Sequence, residues 1–366
     1  MKTITETIGG AQALLDINFN LKSCFEENLN DEYKMFLHIL RVAEEFLPVY
    51  VRPKAQTGRP PYPYYPFIRS MLGKIFFRIE TTKDFILRLK GDFNLRLLCG
   101  FDKVPDASSF SRVFSYLSGE GIWDTGLDEI VREAHSGKVV YHVCRDSTMI
   151  AAREKVTPKS KKKAEKPKKK RGRPHKNAIK APKEPTTLEK QLLEDAKVSL
   201  EKLNKNCAFG SKKNSQGNIE TTKGYKLHLD VSDSGFPLTA LITGANVHDS
   251  QLAIPMEKLT EQKVTSCYSL MDAGYDAKTI DEFIRNRERI PIIDPNKRKN
   301  ESRPPLDPAK QERYKIRTTV ERTNSHLKDN LIPKALYVKG YVKVSFVLMA
   351  SVFCLAVIKY LQLLVC

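Results

Sequence analysis

No C-x-x-C pair occurs in the 366 residues, and the seven cysteines are odd in number. A disulfide framework and a zinc site are therefore not expected, and a reducing cytosol is the expected compartment. The uncharged stretch VSFVLMASVFCLAVI (344–358) ends after 15 residues, closed by Lys343 and Lys359. That falls short of the roughly 20 residues a bilayer span needs, so it reads as a helix buried against a sheet, and no membrane partner is expected. The N-terminus has no basic patch followed by an apolar core, so no secretory signal is expected. No GxxxxGK[ST] is present, which argues against nucleotide hydrolysis. There is no internal repeat. Acids are in short supply, 43 against 62 Lys and Arg, for a net charge of +19. The excess favours a polyanionic partner, nucleic acid before a membrane surface. It is concentrated: Arg153–Lys180 alone carries +12, leaving about +7 for the rest.

Three textures follow one another along the chain. Residues 1–136 read as an all-helical N-terminal domain. DEYKMFLHILRVAEEFL (31–47) has helical apolar spacing with Asp31 as the expected N-cap, and DASSFSRVFSYL (106–117) is capped by Asp106 or Ser108. RPPYPYYP (59–66) cannot continue a helix, because proline lacks the amide donor; its tyrosines are expected to cover the domain's own core. From 137 the pattern becomes α/β. KVVYHVCRDST reads as a strand ending at Asp146, and 224–246 as two strands around a turn at Asp233-Ser234-Gly235. DSQLAIPMEKL is a helix capped by Asp249, and VTSCYSLMDAGYD a fourth strand with Asp272 just past its end. A helix, a short strand (289–295) and two more helices complete a mixed layer over 137–152 and 219–366. Between them, 153–218 is a basic insert. Its Lys/Pro-rich part cannot build a core and is expected to be disordered when free, whereas TTLEKQLLEDAKVSLEKL (186–203) reads as one amphipathic helix.

YKIRTTVERTNSHLK (314–328) places a single acid, Glu321, among cations. On a helix, Tyr314, Arg317, Glu321 and Lys328 share a stripe about 60° wide, while Ile316, Val320 and Leu327 point towards the core. Alone, this is a solvated Arg317–Glu321 pair worth a few tenths of a kcal/mol. Asp146 and Asp272 have equally plain readings as turn residues. Taken together they mean more. If the first and fourth strands are neighbours, two acids meet at one sheet edge and a helix crossing it adds a third. Such a cluster needs counterions, and hard divalent cations prefer oxygen ligands. Two metals would then activate a water or 3′-hydroxyl against a phosphodiester.

These segments resemble the DDE transposases of bacterial insertion sequences. Residues 314–328 match the Y-x2-R-x3-E-x6-K signature of one large group without a gap, and CRDSTMI, GYKLHLDVSD, TGANVHDSQ and LMDAGYD are similar to the segments around its first strands and second acid. The likeness covers roughly 139–360, and GRPPYPYYPFIRSML resembles the helical domain that often precedes this core. The resemblance implies a ribonuclease H-like catalytic core flanked by helices, with Asp146, Asp272 and Glu321 as catalytic ligands of two Mg²⁺ or Mn²⁺ ions. Tyr314, Arg317 and Lys328 would contact DNA phosphate or orient the acids. It implies cleavage at terminal inverted repeats, joining of 3′-hydroxyl ends to target DNA, a homodimer on double-stranded DNA, and a cytoplasmic, nucleoid-associated protein. Only 48 residues separate Asp272 from Glu321, which leaves little room for the β-rich, tryptophan-bearing insertion of some relatives; the single tryptophan, Trp123, precedes the first Asp.

KKKRGRPHK (168–176) adds Lys169, Lys170, Arg171 and Arg173 as DNA contacts, either along an A·T-rich minor groove or, the favoured reading, as a sequence-blind tether. Arg59 is a further DNA-contacting candidate. In NVHDSQ, His248 reads as a packing or hydrogen-bonding residue in preference to a metal ligand. Two rival readings are a structure-specific nuclease with the same core, and a non-catalytic DNA-binding regulator descended from a transposase.

Overall fold

The computed structural model describes residues 26–49, 62–156, 184–213, 216–296 and 304–365. The helical region runs through α1 (Asp31–Phe46), α2 (Tyr65–Phe76), α3 (Thr82–Gly91), α4 (Phe93–Cys99), α5 (Ala107–Leu117) and α6 (Ile122–Ala134). Asn30, not Asp31, caps α1: its side-chain oxygen accepts from the Tyr33 amide at 2.8 Å. Asp31 sits one residue later, where its charge complements the positive end of the helix. Asp106 stands at the cap of α5 but makes no side-chain capping bond. Tyr64 is buried and stacks on Tyr116, with ring centroids 5.0 Å apart.

One six-stranded mixed sheet follows: β1 (Val139–Ala151), β2 (Ala208–Lys213), β3 (Ile219–Val231), β4 (Pro237–Gly244), β5 (Thr265–Met271) and β6 (Ile290–Ile293). β1 is central, antiparallel to β3 and parallel to β5, which in turn pairs parallel with β6. β3 is long enough to take β2 along its first half and β4 along its second, both antiparallel. This is the mixed ribonuclease H-like core that the resemblance implies. β1 does not end at Asp146. Pairing of Cys144–Ala151 with Gly224–Val231 carries it five residues further, so Asp146 lies inside a strand. At the crossing, a Cβ on Gly224 would lie 2.0 Å from the Ile150 carbonyl oxygen, so only glycine lets the two strands approach there.

Residues 186–203 form two helices, α7 (Thr187–Leu193) and α8 (Ala196–Glu201), not one. Glu194 and Asp195 are extended, and Asp195 caps α8 by accepting from the Lys197 amide. The break is held from outside. The Lys258 ammonium donates to the carbonyls of Gln191, Leu192 and Glu194 at 2.9, 3.2 and 2.7 Å, satisfying the orphan acceptors at the end of α7. The stretch assigned to the insert also supplies β2, so its last residues belong to the sheet.

The remaining helices are α9 (Ser250–Thr260), α10 (Lys278–Arg285), α11 (Pro308–Tyr314), α12 (Thr318–His326) and α13 (Tyr341–Val365). α13 contains the charge-free stretch. By length and composition it is the one described helix able to cross a membrane, yet its most apolar part is 72% buried in the protein. It packs on α1, α2 and α6 as well as on β4. Trp123 lies against Phe346 and Phe353, with centroids 5.6 and 5.7 Å away, and Phe46 against Tyr360. The single tryptophan is thus a core residue joining the helical region to the last helix. Each such apolar side chain, fully buried, contributes roughly 1.5–3 kcal/mol.

Candidate active site

Alternation along β1 sends Asp146 to one face of the sheet and Arg145 and Ser147 to the other. Arg145 pairs in register with Met271 of β5, so Asp146 and Asp272, the next residues of parallel neighbours, come side by side. The third acid arrives on a helical path running from Pro308 to Leu331. That path is not a uniform α-helix: it tightens to a 3₁₀ turn over Lys315–Arg317 and widens to a π turn over Leu327–Leu331. Val320 and Leu327 are fully buried, as their spacing requires. The Asn324 amide donates to Asp146 Oδ2 at 3.1 Å, and the Cys144 thiol to the Ile316 carbonyl at 3.6 Å. Both contacts seat this path on β1.

Arg317 sits in the middle of the acids. One Nη lies 3.6 Å from Asp146 Oδ1 and 4.0 Å from Asp272 Oδ2, and the other donates to Glu321 Oε1 at 2.6 Å. The Arg317 and Asp146 side chains are 14% and 13% exposed, whereas Asp272 and Glu321 are 37% and 51% exposed. Burial pushes the Asp146 carboxyl up, and the Asp272 charge adds to this; Arg317, the Ser147 amide and Lys212 offset only part. Lys328, exposed but partly desolvated by its neighbours, is held below the usual lysine range by that desolvation and by Lys212, against the pull of Asp146 and Asp329. Lys212 on β2 and Lys328 therefore share the rim of the Asp146 site.

A second acid layer lies across the sheet. Asp249 stands at the start of α9 without making a capping bond. Its Oδ1 instead accepts from the Ser147 hydroxyl at 2.8 Å and the Lys226 ammonium at 2.9 Å, with His228 Nδ1 3.7 Å away. Burial opposes its charge, but Lys226, His228 and Ser147 outweigh this and hold its carboxyl low. Tyr275, just after Asp272, is buried, and its hydroxyl has no hydrogen-bond partner among the described residues. Burial, with the charges of Asp249, Asp146 and Asp272, raises its pKa far above the ordinary phenol value. Replacing Asp249 with alanine would leave the Lys226 ammonium, whose side chain is 8% exposed, without its counter-charge and with the Val247 carbonyl as its hydrogen-bond acceptor. We expect a loss of about 2–4 kcal/mol, read as an earlier denaturant midpoint at unchanged slope.

Residues 140–357, more than half of the chain, match a family model described as Transposase DDE domain. The chain belongs to the DDE transposase family. Residues 23–116 of this transposase also match a model described as Transposase domain (DUF772), so its helical region is itself a transposase module. Neither curated proteins nor solved structures give a significant match.

The structure of the transposase brings Asp146, Asp272, Glu321 and Arg317 together. Tyr314 is half-buried against the core, with its ring 5.9 Å from the Arg317 guanidinium carbon, and Lys328 is exposed on the π turn. Arg59, Lys169, Lys170, Arg171 and Arg173 lie outside the described residues. His248 is exposed and bonds Ser250. Sequence reasoning missed Asn324, Lys212 and the role of Asp249. Asn324 falls one helical turn beyond Glu321 and was findable from that spacing; the other two depend on strand pairing.

DDE transposases generally use divalent metals. The donor set here, three carboxylates at one sheet edge, has the chemistry such ions prefer. Among the described residues, however, no three His, Cys, Asp or Glu side chains lie close enough to hold a metal. The Arg317 guanidinium stands between the acids as their counterion. Glu321, half exposed at the helix surface, is the acid of the three with most room to turn from Arg317 towards the aspartates.

Proposed function

We propose that the chain cuts DNA at the terminal inverted repeats of its own element and joins the freed 3′-hydroxyl ends to target DNA. The observation that supports this best is the convergence of Asp146, Asp272 and Glu321 on Arg317. Two Mg²⁺ or Mn²⁺ ions held by these carboxylates would activate the attacking water or 3′-hydroxyl and neutralise charge on the phosphate. The chain's own residues do the rest. Asn324 fixes the orientation of Asp146. Arg317, released by Glu321, offers its two-pronged donor face to the strand being cut. Tyr314, Lys328 and Lys212 line the approach. The helical region up to residue 136 recognises the repeats. Arg59 contributes there, and Lys169, Lys170, Arg171 and Arg173 add a salt-sensitive, sequence-blind grip. Two ends must be held at once, so the working form is a homodimer on DNA, acting in the cytoplasm at the nucleoid.

The test uses the full chain, Mg²⁺ and duplexes taken from the DNA bracketing its reading frame, intact or pre-cut at the 3′ end. Nicking of the intact end and transfer of the pre-cut end to a plasmid are expected, and both are abolished by EDTA. Cutting without joining would mean a nuclease. Binding with neither reaction would mean a regulator.

A further inference from the structure

A cavity of about 360 Å³ opens where the end of α2 meets the π turn, at the seam between the helical region and the catalytic core. Its walls include Lys74, Arg78, Lys328 and Lys334, against only two acids, Glu80 and Asp329. Two of these cations are held in positions that the fold alone would not favour. Lys74 is 7% exposed, and burial drives its ammonium down to about 8, with Glu80 offsetting only part. Glu80 is itself engaged, accepting from the Tyr337 hydroxyl at 3.1 Å. Arg78 has a φ of 55°, in the left-handed region. It directly follows Phe77, the C-cap of α2; its amide bonds the Ile75 carbonyl, and the Ile79 amide reaches back to Lys74. Helices closing this way ordinarily place glycine at that position, because a side chain there is strained.

A strained arginine and a buried lysine facing one cavity make sense if an anion joins them. We propose that this cavity is a phosphate-binding site that takes a backbone phosphate of the element's end DNA, with Arg78 and Lys74 as its ligands. Arg78 supplies the two-pronged donor geometry that matches phosphate oxygens, and Lys74 a point charge from the floor. The position has a consequence. Lys328 lines the cavity from the π turn that directly continues α12, the helix carrying Glu321, so a phosphate held here sits at the end of the helical path that reaches the acids. DNA gripped by the helical region would thereby be set in register with the site that cuts it. The inference rests on the DNA reading above and names a contact point for it.

The experiment compares full-length wild type with Arg78→Gly and Lys74→Met. Without DNA, both variants should melt at or above the wild-type temperature, since each change removes a strained or buried charge. Both should bind an end-bearing duplex about tenfold or more weakly. The slope of log K against log salt should be shallower by roughly 0.9, one phosphate contact. Inorganic phosphate should raise the melting temperature of wild type more than that of either variant. Stable variants with wild-type affinity and salt slope would overturn the proposal, as would phosphate stabilisation without any change in duplex binding. Variants that melt early and bind in proportion to their folded fraction would assign both residues a structural role and overturn it equally. A wild type that binds no duplex at all would sink the functional reading itself.

Discussion

Asp146→Ala yields a protein that holds its DNA and does not cut it. Cleavage and strand transfer should fall by roughly 10³-fold or more, because both use the same carboxylate to place positive charge at the phosphate. Binding should be equal or stronger. Removing one negative charge leaves the Arg317 guanidinium, 3.6 Å away, more available to phosphate. Asp146→Asn is the companion variant. The side chain keeps its shape beside Asn324, and the wild-type carboxylate is buried against its preference, so the melting temperature should not drop. Loss of cleavage with unchanged binding and melting separates a catalytic role from a structural one. Residual cleavage near the wild-type rate in either variant would end the assignment.

One residue earlier, the expected outcome is reversed. Arg145→Ala should fail to fold. The Arg145 side chain is 1% exposed and donates to both oxygens of Asp230 at 2.7 Å, to Glu257 at 2.8 Å and to the Ala253 carbonyl at 2.8 Å. Its removal leaves Asp230 without its guanidinium and Glu257 with Arg289, at 2.7 Å, and the Ser269 hydroxyl, at 2.8 Å. Both carboxylates are sealed from water. Breaking a buried pair on one side costs about 3–5 kcal/mol, a large share of the 5–15 kcal/mol that typically holds a domain together. Insoluble expression, or a denaturant midpoint lowered to that extent, is the expected reading. Arg145→Lys should fall in between, since an ammonium keeps the charge but not the two-pronged geometry. A midpoint within 1 kcal/mol of wild type would show that the network does not matter.

The contrast between neighbours marks where sequence reasoning stops. Asp146, Asp272 and Glu321 were legible because their segments carry local signals: a strand, a strand end and a helix with a buried Val320–Leu327 face. The adjacency of β1 and β5, on which their meeting depends, was only a condition in the sequence and is supplied by the parallel pairing of the two strands. The strand through Asp146 was read too short, because its continuation to Ala151 is set by pairing with β3, some 75 residues away. The same blindness hid the second layer. YKLHLDV in β3 alternates strictly, and its polar set, Lys226, His228 and Asp230, looks solvent-facing. It is in fact buried under α9: Lys226 donates to Asp249, Asp230 accepts from Arg145 and Thr260, and His228 pairs with Thr243. Asp249 before a helical run reads as a cap until Lys226 and Ser147 claim its carboxylate. The smooth helical wheel over 314–328 likewise ignores the 3₁₀ turn, which packs on β1, and the π turn, which packs on α2 and α13.

Because α13 completes the packing of α1, α2 and α6, the helical region is expected to finish folding only once α13 has been made. At about 5–20 residues per second, synthesis of the stretch from Ala134 to Tyr341 takes on the order of 10–40 seconds, during which the early helices wait with an open apolar groove. A frameshift or premature stop anywhere before residue 341 is therefore expected to give no folded fragment able to compete with the full chain for DNA. Such a chain lacks the piece that closes both halves, and it is a substrate for proteases instead of a competitor.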